Sequence, residues 1–277
     1  MPPYERIAVL GVGLIGGSIG LAARQRGLAG EVVGIGRRAT SLEAARRRGA
    51  VDRTSTEVAA AAGADLVIVA TPVELIVPLA RQAAAVAPAA ILTDAGSTKE
   101  GICEALGDDL AKRFVGSHPL AGDHRRGPEH ARGDLLVDRT VVVTPTDATP
   151  EALAQRIAQF WQALGAKTRV MSPADHDAAL AATSHLPHLI AAALASATPE
   201  ACLPLAATGW ADATRIAAGD AALWTQIFAA NRDCLLEALD RFDEQLDRLR
   251  NALEQRDWQA ASDCLQHAQR IRDALGD

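Results

Sequence analysis

The chain has 277 residues, 49% hydrophobic and 22% charged, which is typical of a globular protein with about two domains. Its formal net charge of −6 argues against nucleic-acid binding, which needs clustered lysines and arginines to neutralise phosphates. Uninterrupted apolar runs stay well short of the roughly 18 residues that span a membrane, so no membrane partner is expected. Four scattered cysteines without a CxxC pair, and a start without a leader segment, predict reduced thiols in a cytoplasmic protein.

Up to residue 171 the sequence alternates between short β-branched runs and helical stretches. The runs predicted as strands are residues 7–10, 32–35, 66–70, 91–94, 114–116 and 140–143. Strands that alternate with helices predict the α/β class, with a largely parallel sheet covered on both faces. From residue 172 the β pattern stops, and alanine- and leucine-rich sequence with helical spacing predicts an all-helical second domain. The predicted domains are therefore 1–171 and 172–277.

Three glycines follow the first predicted strand in the pattern Gly-x-Gly-x-x-Gly and lead into an amphipathic helix. This strand–turn–helix setting indicates a dinucleotide-binding turn. Gly11 permits the tight turn, Gly13 lets the backbone approach a pyrophosphate, and Gly16 allows close packing of helix on strand. Leu14 and Ile15 open the helix, whose free N–H groups and positive dipole end face the phosphates. The sequence thus predicts an N-terminal Rossmann domain.

Two arginines, Arg37 and Arg38, follow the second predicted strand. An NAD site usually has Asp or Glu at this point, where the carboxylate accepts hydrogen bonds from the ribose hydroxyls. Two guanidinium groups suit a 2′-phosphate instead, so NADP is the predicted cofactor, with NAD possible. A second interpretation, in which both arginines form the solvated start of a helix, remains open.

Polar residues follow three further predicted strands, at the edge of the sheet where ligands bind in this fold class. They are Thr71 with Pro72, then Ser97, then His118. A neutral histidine near a nicotinamide is a common base for removing a hydroxyl proton. His118 could also be an ordinary hydrogen-bonded loop histidine. Ser97 could equally cap a helix, completed by an acid three residues later.

The helical domain contains two further polar groups. Pro187 predicts a kink in the helix near His185. Polar residues at a kink that faces the first domain, here His185 and His188, are candidate ligand contacts. No acidic or cysteine partner has suitable spacing, so no metal site is predicted. Asp212 and Arg215 could form a surface ion pair, or Arg215 could clamp a substrate carboxylate.

Two C-terminal stretches, residues 223–249 and 257–275, have more apolar positions than two helices can bury against each other. An exposed apolar face of this kind needs a covering surface. We therefore expect an obligate homodimer formed through residues 172–277.

Five motifs occur in a fixed order along nearly the whole chain. They are GVGLIGGS at 11–18, the DxxSxK pattern at 94–99, SHPLAG at 117–122, SHLPH at 184–188, and DATRIA at 212–217 followed by Trp224. No single motif is decisive, but the ordered set resembles the prephenate/arogenate dehydrogenase family of tyrosine biosynthesis.

The resemblance implies an NAD(P)-dependent oxidative decarboxylation of prephenate or arogenate, giving 4-hydroxyphenylpyruvate or tyrosine. It implies that His118 is the catalytic histidine and that Ser97 hydrogen-bonds it and orients the substrate. It further implies that Arg215 binds the ring carboxylate and that His185 lies near the substrate side chain. Asp212, which belongs to the same DATRIA motif as Arg215, is also predicted to bind substrate. In this family the helical domain forms an intertwined dimer.

Two other classes share parts of this layout. The β-hydroxyacid dehydrogenase and imine reductase group usually has a catalytic lysine in the first long helix of its second domain, whereas residues 174–196 contain none. A non-catalytic NADPH-binding sensor would not need His118, Ser97 and Arg215 together.

Overall fold

The structure is a computed structural model that describes residues 3–122, 125, 127–274 and 276. Within these ranges, Asp109 is described by its backbone only. The first half of the chain forms an eight-stranded sheet. Its strands are β1 (Tyr4–Leu10), β2 (Ala29–Ile35), β3 (Arg53–Ser55), β4 (Leu66–Val69), β5 (Ile91–Asp94), β6 (Phe114–Pro119), β7 (Thr140–Thr144) and β8 (Lys167–Val170). They lie in the order β3-β2-β1-β4-β5-β6-β7-β8, and all neighbours are parallel except β6 and β7. The predicted α/β class with a Rossmann half is confirmed.

Two strands and one strand end differ from the prediction. The strands β3 and β8 lie at the two edges of the sheet and are short and largely exposed, so they lack the apolar run of a buried strand. The strand β6 continues through His118 to Pro119 because it pairs antiparallel with β7, where His118 lies opposite Val142. His118 is therefore held inside a strand, and not in the loop that follows it.

The five helices of this half are α1 (Leu14–Gln25), α2 (Ala39–Arg47), α3 (Val73–Val86), α4 (Glu100–Ala111) and α5 (Glu151–Ala163). These helices pack on both faces of the sheet, and an apolar core lies between helices and sheet on each face. Alternate residues of β1 supply both cores: Ile7 and Val9 pack on one face, Ala8 and Leu10 on the other. This double burial explains why the central strands are continuous apolar runs.

The second half is helical, as predicted. It comprises α6 (Pro173–Leu180), a π-helical turn (Ala181–His185), α7 (Leu186–Ala197), α8 (Thr208–Thr214), α9 (Ala221–Ala230), α10 (Arg232–Glu254) and α11 (Trp258–Asp273). Short 3₁₀ turns occupy Val58–Ala61, Pro128–His130, Glu200–Leu205 and Arg215–Ala218. The hydroxyl of Ser172 accepts a hydrogen bond from the N–H of Asp175 and so caps α6. Pro187 does not break the helix, because the preceding turn widens into the π-helical geometry and the chain continues into α7.

The C-terminal helices differ from the prediction at one point. The stretch 223–249 is divided between α9 and α10 at Asn231, whose side chain turns inward and is 4% exposed. The stretch 257–275 corresponds to α11, and its last residue, Leu275, lies outside the described residues. Large apolar side chains on these helices are left uncovered in the single chain; Trp258 and Leu265 are each 64% exposed.

One helical stretch, Pro173–Ala197, is long and apolar enough by length and composition to cross a membrane. The most apolar 18 consecutive residues of this stretch have a mean hydropathy of 1.4, and 28% of that segment is buried inside the protein. From the sequence we expected every apolar run to be too short to span a membrane. That expectation missed this stretch because polar residues interrupt it. A single such helix is weak support for a membrane span, and His176 and Asp177, near its start, are buried and hydrogen-bonded within the protein.

Candidate active site

A cleft of about 1150 Å³ runs along the carboxyl edge of the sheet and is bordered by the second domain. Its walls include the ends of β1, β2 and β4 and the residues directly after them. The opposite side is formed by His188, Arg215 and Trp224. The cleft therefore lies where a Rossmann fold binds its dinucleotide, with the helical domain facing it.

The glycine turn has the geometry that phosphate binding needs. Gly11 has a φ of 93°, and a Cβ atom there would collide with the carbonyl oxygen of Ala70. A Cβ atom on Gly16 would collide with the carbonyl oxygen of Gly11, whereas one on Gly13 would meet nothing within 4 Å. The helix α1 begins at Leu14 with no side-chain cap, so the N–H groups of its first turn are free for an anion.

Gly11, Gly13, Leu14 and Ile15 all line the cleft, whereas Gly16 is buried beneath the turn. The first four are thus placed to contact a ligand directly. Gly16 acts through packing, because it lets α1 approach β1 closely.

The cleft wall after β2 carries two cationic groups. Arg37 and Arg38 are exposed and line the cleft, and their guanidinium groups have no hydrogen-bond or ion-pair partner within the described residues. Arg38 is the residue before α2, but its side chain does not cap that helix. Across the cleft, Thr71 and Pro72 follow β4, and the Thr71 hydroxyl is buried without a partner in the part of the chain that the structure describes. The residues predicted to bind the cofactor are therefore brought together.

Ser97 lines the cleft but makes neither of the contacts predicted for it. It forms no hydrogen bond with His118 within the described ranges, and it does not cap α4. The N–H groups of Lys99 and Glu100 instead donate to the two carboxylate oxygens of Asp177, at 2.8 and 2.9 Å. The cap comes from the second domain and replaces the predicted local one, so the Ser97 hydroxyl is left to a ligand.

His118 projects into the cleft from β6 and is partly exposed there. Its Nδ1 atom lies 2.9 Å from Nε2 of His176, which is fully buried. Burial lowers the pKa of His118 well below the ordinary histidine value, and the electrostatic influence of the neighbouring His176, Lys99 and His185 lowers it further. His118 is therefore neutral at physiological pH and can accept a proton.

A buried ion pair that the sequence did not reveal fixes the strand ends beneath the site. Lys99 and Asp94 are both fully buried, and the ammonium of Lys99 contacts a carboxylate oxygen of Asp94. Asp94 also accepts hydrogen bonds from the N–H groups of Ser117, at 2.9 Å, and Gly96, at 2.8 Å. These bonds tie β5 to β6 one residue before His118. The only sequence signal was the DxxSxK pattern, which had drawn attention to its serine.

The two histidines of the helical domain have different surroundings. His188 lines the cleft, stacks on Trp224 with ring centroids 3.6 Å apart, and has no partner for Nδ1 among the residues that the structure describes. His185 does not line the cleft; its Nδ1 lies 3.0 Å from the amide nitrogen of Asn231, and burial lowers its pKa to about 4. The structure thus places His188 in the wall where His185 was expected, because the π-helical turn directs His185 inward.

Arg215 and Asp212 also have different surroundings. Arg215 begins the 3₁₀ turn Arg215–Ala218 and lines the cleft, with an exposed side chain. Asp212 lies one turn earlier on α8, is exposed, and is not part of the cleft wall. Within the described residues the two form no ion pair, so the surface-pair interpretation is wrong and the guanidinium faces the cleft. The structure also moves Asp212 out of the predicted substrate-binding set.

Comparison with known proteins bears on this arrangement. The family model for the prephenate dehydrogenase nucleotide-binding domain matches residues 19–170, and that for the prephenate dehydrogenase dimerization domain matches residues 172–267. The chain belongs to the prephenate dehydrogenase family. Membership of this family of NAD(P)-dependent oxidoreductases confirms the resemblance and decides against both the β-hydroxyacid dehydrogenase group and a non-catalytic sensor.

Relatives of this prephenate dehydrogenase family member match nearly the whole of this chain. It is 34% identical to the cyclohexadienyl dehydrogenase of Zymomonas mobilis, covering 99% of this chain and 97% of that one. The chain is 32% identical to the prephenate dehydrogenase of Bacillus subtilis, and the match covers 98% of this chain and 76% of that one. Among solved structures, the A. aeolicus prephenate dehydrogenase in complex with hydroxyphenyl propionate and NAD+ has a TM-score of 0.92 at 29% identity, with 98% of both chains covered. The Synechocystis arogenate dehydrogenase has a TM-score of 0.86 at 31% identity, covering 98% and 99%.

The family member has four free cysteines, of which Cys103 is buried. Over the ranges that the structure describes, no group of three His, Cys, Asp or Glu side chains is arranged to hold a metal ion. The polar groups that line the cleft include guanidinium groups, which can bind anions, and imidazoles, which can accept a proton.

Proposed function

We propose that this chain catalyses the oxidative decarboxylation of prephenate or arogenate with NAD(P), a cytoplasmic step of tyrosine biosynthesis. The observation that carries the proposal is the content of one cleft. Its wall holds a neutral imidazole, His118, a dinucleotide-binding turn, and the guanidinium of Arg215, which has no ion-pair partner among the described residues. These are the groups that the reaction needs: a place for the cofactor, a base for the ring hydroxyl and a cation for the ring carboxylate.

The residues fit a nicotinamide dinucleotide because the turn offers free N–H groups and an open position at Gly13. When bound, the oxidised nicotinamide supplies the hydride acceptor. His118 takes the proton of the ring hydroxyl while hydride leaves the same carbon. Arg215 holds the ring carboxylate until it departs as carbon dioxide, and the electrons of the broken C–C bond complete the aromatic ring. Aromatisation drives the reaction, so the protein has mainly to align the groups and remove one proton.

Steady-state kinetics with each substrate test the proposed function. Purified protein is incubated with prephenate or arogenate and with NADP+ or NAD+, and the absorbance of the reduced cofactor is followed. We expect turnover with at least one substrate, giving 4-hydroxyphenylpyruvate from prephenate or tyrosine from arogenate. A protein that binds the cofactor but turns over neither substrate would contradict the proposal.

We further propose that NADP is preferred over NAD. The side chains of Arg37 and Arg38 lie in the cleft wall without a partner among the described residues, at the point where an NAD site has a carboxylate. Charge-assisted hydrogen bonds to a 2′-phosphate should raise kcat/KM for NADP by about 10–100-fold over NAD. Arg37→Ala with Arg38→Ala should remove the preference and leave the NAD reaction nearly unchanged. Arg47→Ala is the matched control, because Arg47 is exposed at the end of the following helix, α2, and lies outside the cleft wall. Equal or better use of NAD by the unaltered protein would sink the idea.

A homodimer through residues 172–277 is also proposed. Support comes from the match to a dimerization domain and from the apolar side chains that α10 and α11 leave exposed. Sedimentation should show a dimer at micromolar concentration. Leu265→Glu combined with Ile271→Glu, at positions 64% and 62% exposed, should shift it toward monomer. A stable monomer of the unaltered chain at that concentration would contradict the proposal.

A further inference from the structure

A buried chain of hydrogen bonds crosses the boundary between the two domains and ends at His118. His176 and Asp177, both from α6, are 0% and 1% exposed. Nδ1 of His176 lies 2.7 Å from Oδ1 of Asp177, and its Nε2 lies 2.9 Å from Nδ1 of His118. The order is therefore Asp177, His176, His118 and then the cleft.

Proton counting along this chain determines which nitrogen of each ring carries hydrogen. The Asp177 carboxylate accepts from the N–H groups of Lys99 and Glu100 at the start of α4, one on each of its oxygens. An ionised carboxylate only accepts, so Nδ1 of His176 must donate to it. In neutral His176 the Nε2 atom is then bare and must accept from Nδ1–H of His118. The Nε2 atom of His118 is thus left without a proton.

This tautomer is the one that a base in the cleft requires. The imidazole of His118 lines the cleft, and its Nδ1 is engaged by His176, so Nε2 is the nitrogen free for a ligand. With the opposite tautomer, Nε2 would carry hydrogen and could only donate. The bond from Nδ1 to His176 therefore determines whether His118 can accept a proton at all.

The charged groups around the two rings show where a proton gained in the cleft is best held. His118 is faced by His176, Lys99 and His185, and all of these disfavour a positive charge on it. His176 contacts the Asp177 carboxylate directly, whereas His118 makes no such contact among the described residues. A proton that reaches His176 therefore lies beside a carboxylate, a contact that His118 lacks among the described residues.

We propose that His176 and Asp177 are positioning residues that hold His118 in its Nδ1–H tautomer and take over the proton it removes. The proposal rests on the role of His118 in the proposed function. In the step, the substrate hydroxyl gives its proton to Nε2 of His118, and the Nδ1 proton of His118 passes to Nε2 of His176. The imidazolium of His176 then lies beside the Asp177 carboxylate. When carbon dioxide leaves, the ring oxygen becomes a phenolate, and the same two transfers run in reverse to return the proton to it and complete the aromatic hydroxyl.

The same contacts link the base to the docking of the domains. Asp177 caps α4 of the first domain with both carboxylate oxygens, and its backbone carbonyl accepts from the amide of Asn231 at 2.8 Å. His176 can reach His118 only while these bonds hold α6 against the sheet. The active tautomer therefore requires the two domains to be docked.

Nitrogen-15 NMR of the full-length protein tests the proposal without any turnover. Histidine labelled with ¹⁵N is incorporated, and long-range proton–nitrogen correlations identify the protonated nitrogen of each ring at neutral pH. The His118 signals are assigned by their loss in His118→Asn. We expect Nδ1–H on both His118 and His176. A His118 ring protonated on Nε2 overturns the proposal even if the enzyme turns over prephenate or arogenate, so the two failures are distinguishable.

Kinetics of two variants give a second test. His176→Gln keeps an oxygen that can accept from Nδ1–H of His118, whereas His176→Leu removes the acceptor. We expect the leucine variant to lose about 10²-fold or more in kcat and the glutamine variant to recover only part of that loss, because glutamine accepts the hydrogen bond but cannot take the proton, with KM and cofactor affinity little changed in both. The midpoint of thermal unfolding is compared for both, since each alters a buried site. Equal kcat in the two variants at equal stability would contradict the positioning role.

Discussion

Replacing His118 with asparagine is expected to lower kcat by about 10²–10⁴, the usual worth of general base catalysis, with a much smaller change in KM. Asparagine keeps a polar group of similar size but cannot accept the hydroxyl proton at neutral pH. His267→Asn, an exposed histidine of α11 outside the cleft wall, is the matched control and should behave like the unaltered protein. Initial rates at saturating cofactor separate kcat from KM.

The pH profile gives this prediction a sign. The pKa of His118 lies well below the ordinary histidine value, mainly through burial, so the ring stays neutral through the physiological range. Lowering the pH protonates it only beyond that range, and kcat should fall there on the acid side. The asparagine variant should lose this acid limb. A near-normal kcat in the variant, or an acid limb that survives, would mean that another group is the base, and His188 would be the next candidate.

The second large effect is expected at Arg215. Arg215→Ala should raise KM for the substrate by about 10²-fold or more, because a bound carboxylate would lose its bidentate partner. Cofactor affinity, measured by titration of the free enzyme, should change little. Arg215→Lys should rescue only part of the loss, since a point charge cannot reproduce the planar fork.

Asp212→Ala is the matched control for Arg215, because Asp212 lies on the preceding turn, is exposed, and is outside the cleft. Its KM should be close to that of the unaltered protein. If Arg215→Ala kept a normal KM, or if Asp212→Ala matched its defect, the carboxylate-binding role would be wrong.

Sequence alone was sufficient for the parts of the fold that depend on local patterns. The central strands are buried on both faces and so appear as unbroken apolar runs, and the glycine turn is specified by three residues within six. The strands β3 and β8 were missed because edge strands need little apolar sequence. The extension of β6 through His118 depends on an antiparallel partner 24 residues away, His118 to Val142, which no local pattern specifies.

The candidate site was predictable to the same extent. Arg37, Thr71 and His118 lie at strand ends or just beyond, and the fold class itself brings such residues to one cleft. The exchange of His185 for His188 arises from a π-helical turn, which shifts the face of the helix and has no clear sequence signature. Ser97 was a candidate cap for α4 because local capping motifs are recognisable in sequence, whereas a carboxylate supplied by another domain is not.

The interdomain contacts were the least predictable part. His176 and Asp177 belong to the stretch whose serine and proline mark the start of α6, and nothing in their spacing connects them to His118, 58 residues earlier. Their importance follows from burial and from distances that only the folded chain supplies. The depressed pKa of His118 has the same origin, because it depends on desolvation and on charges brought together by tertiary structure.

The stoichiometry of a single reaction tests the central claim most directly. The purified protein is given a limiting amount of prephenate or arogenate with excess NADP+, and reduced cofactor, carbon dioxide and the aromatic product are measured in the same sample. Oxidative decarboxylation predicts equal molar amounts of all three from at least one of the two substrates. Reduced cofactor without carbon dioxide, or no reaction with either substrate by protein that binds the cofactor, would contradict it.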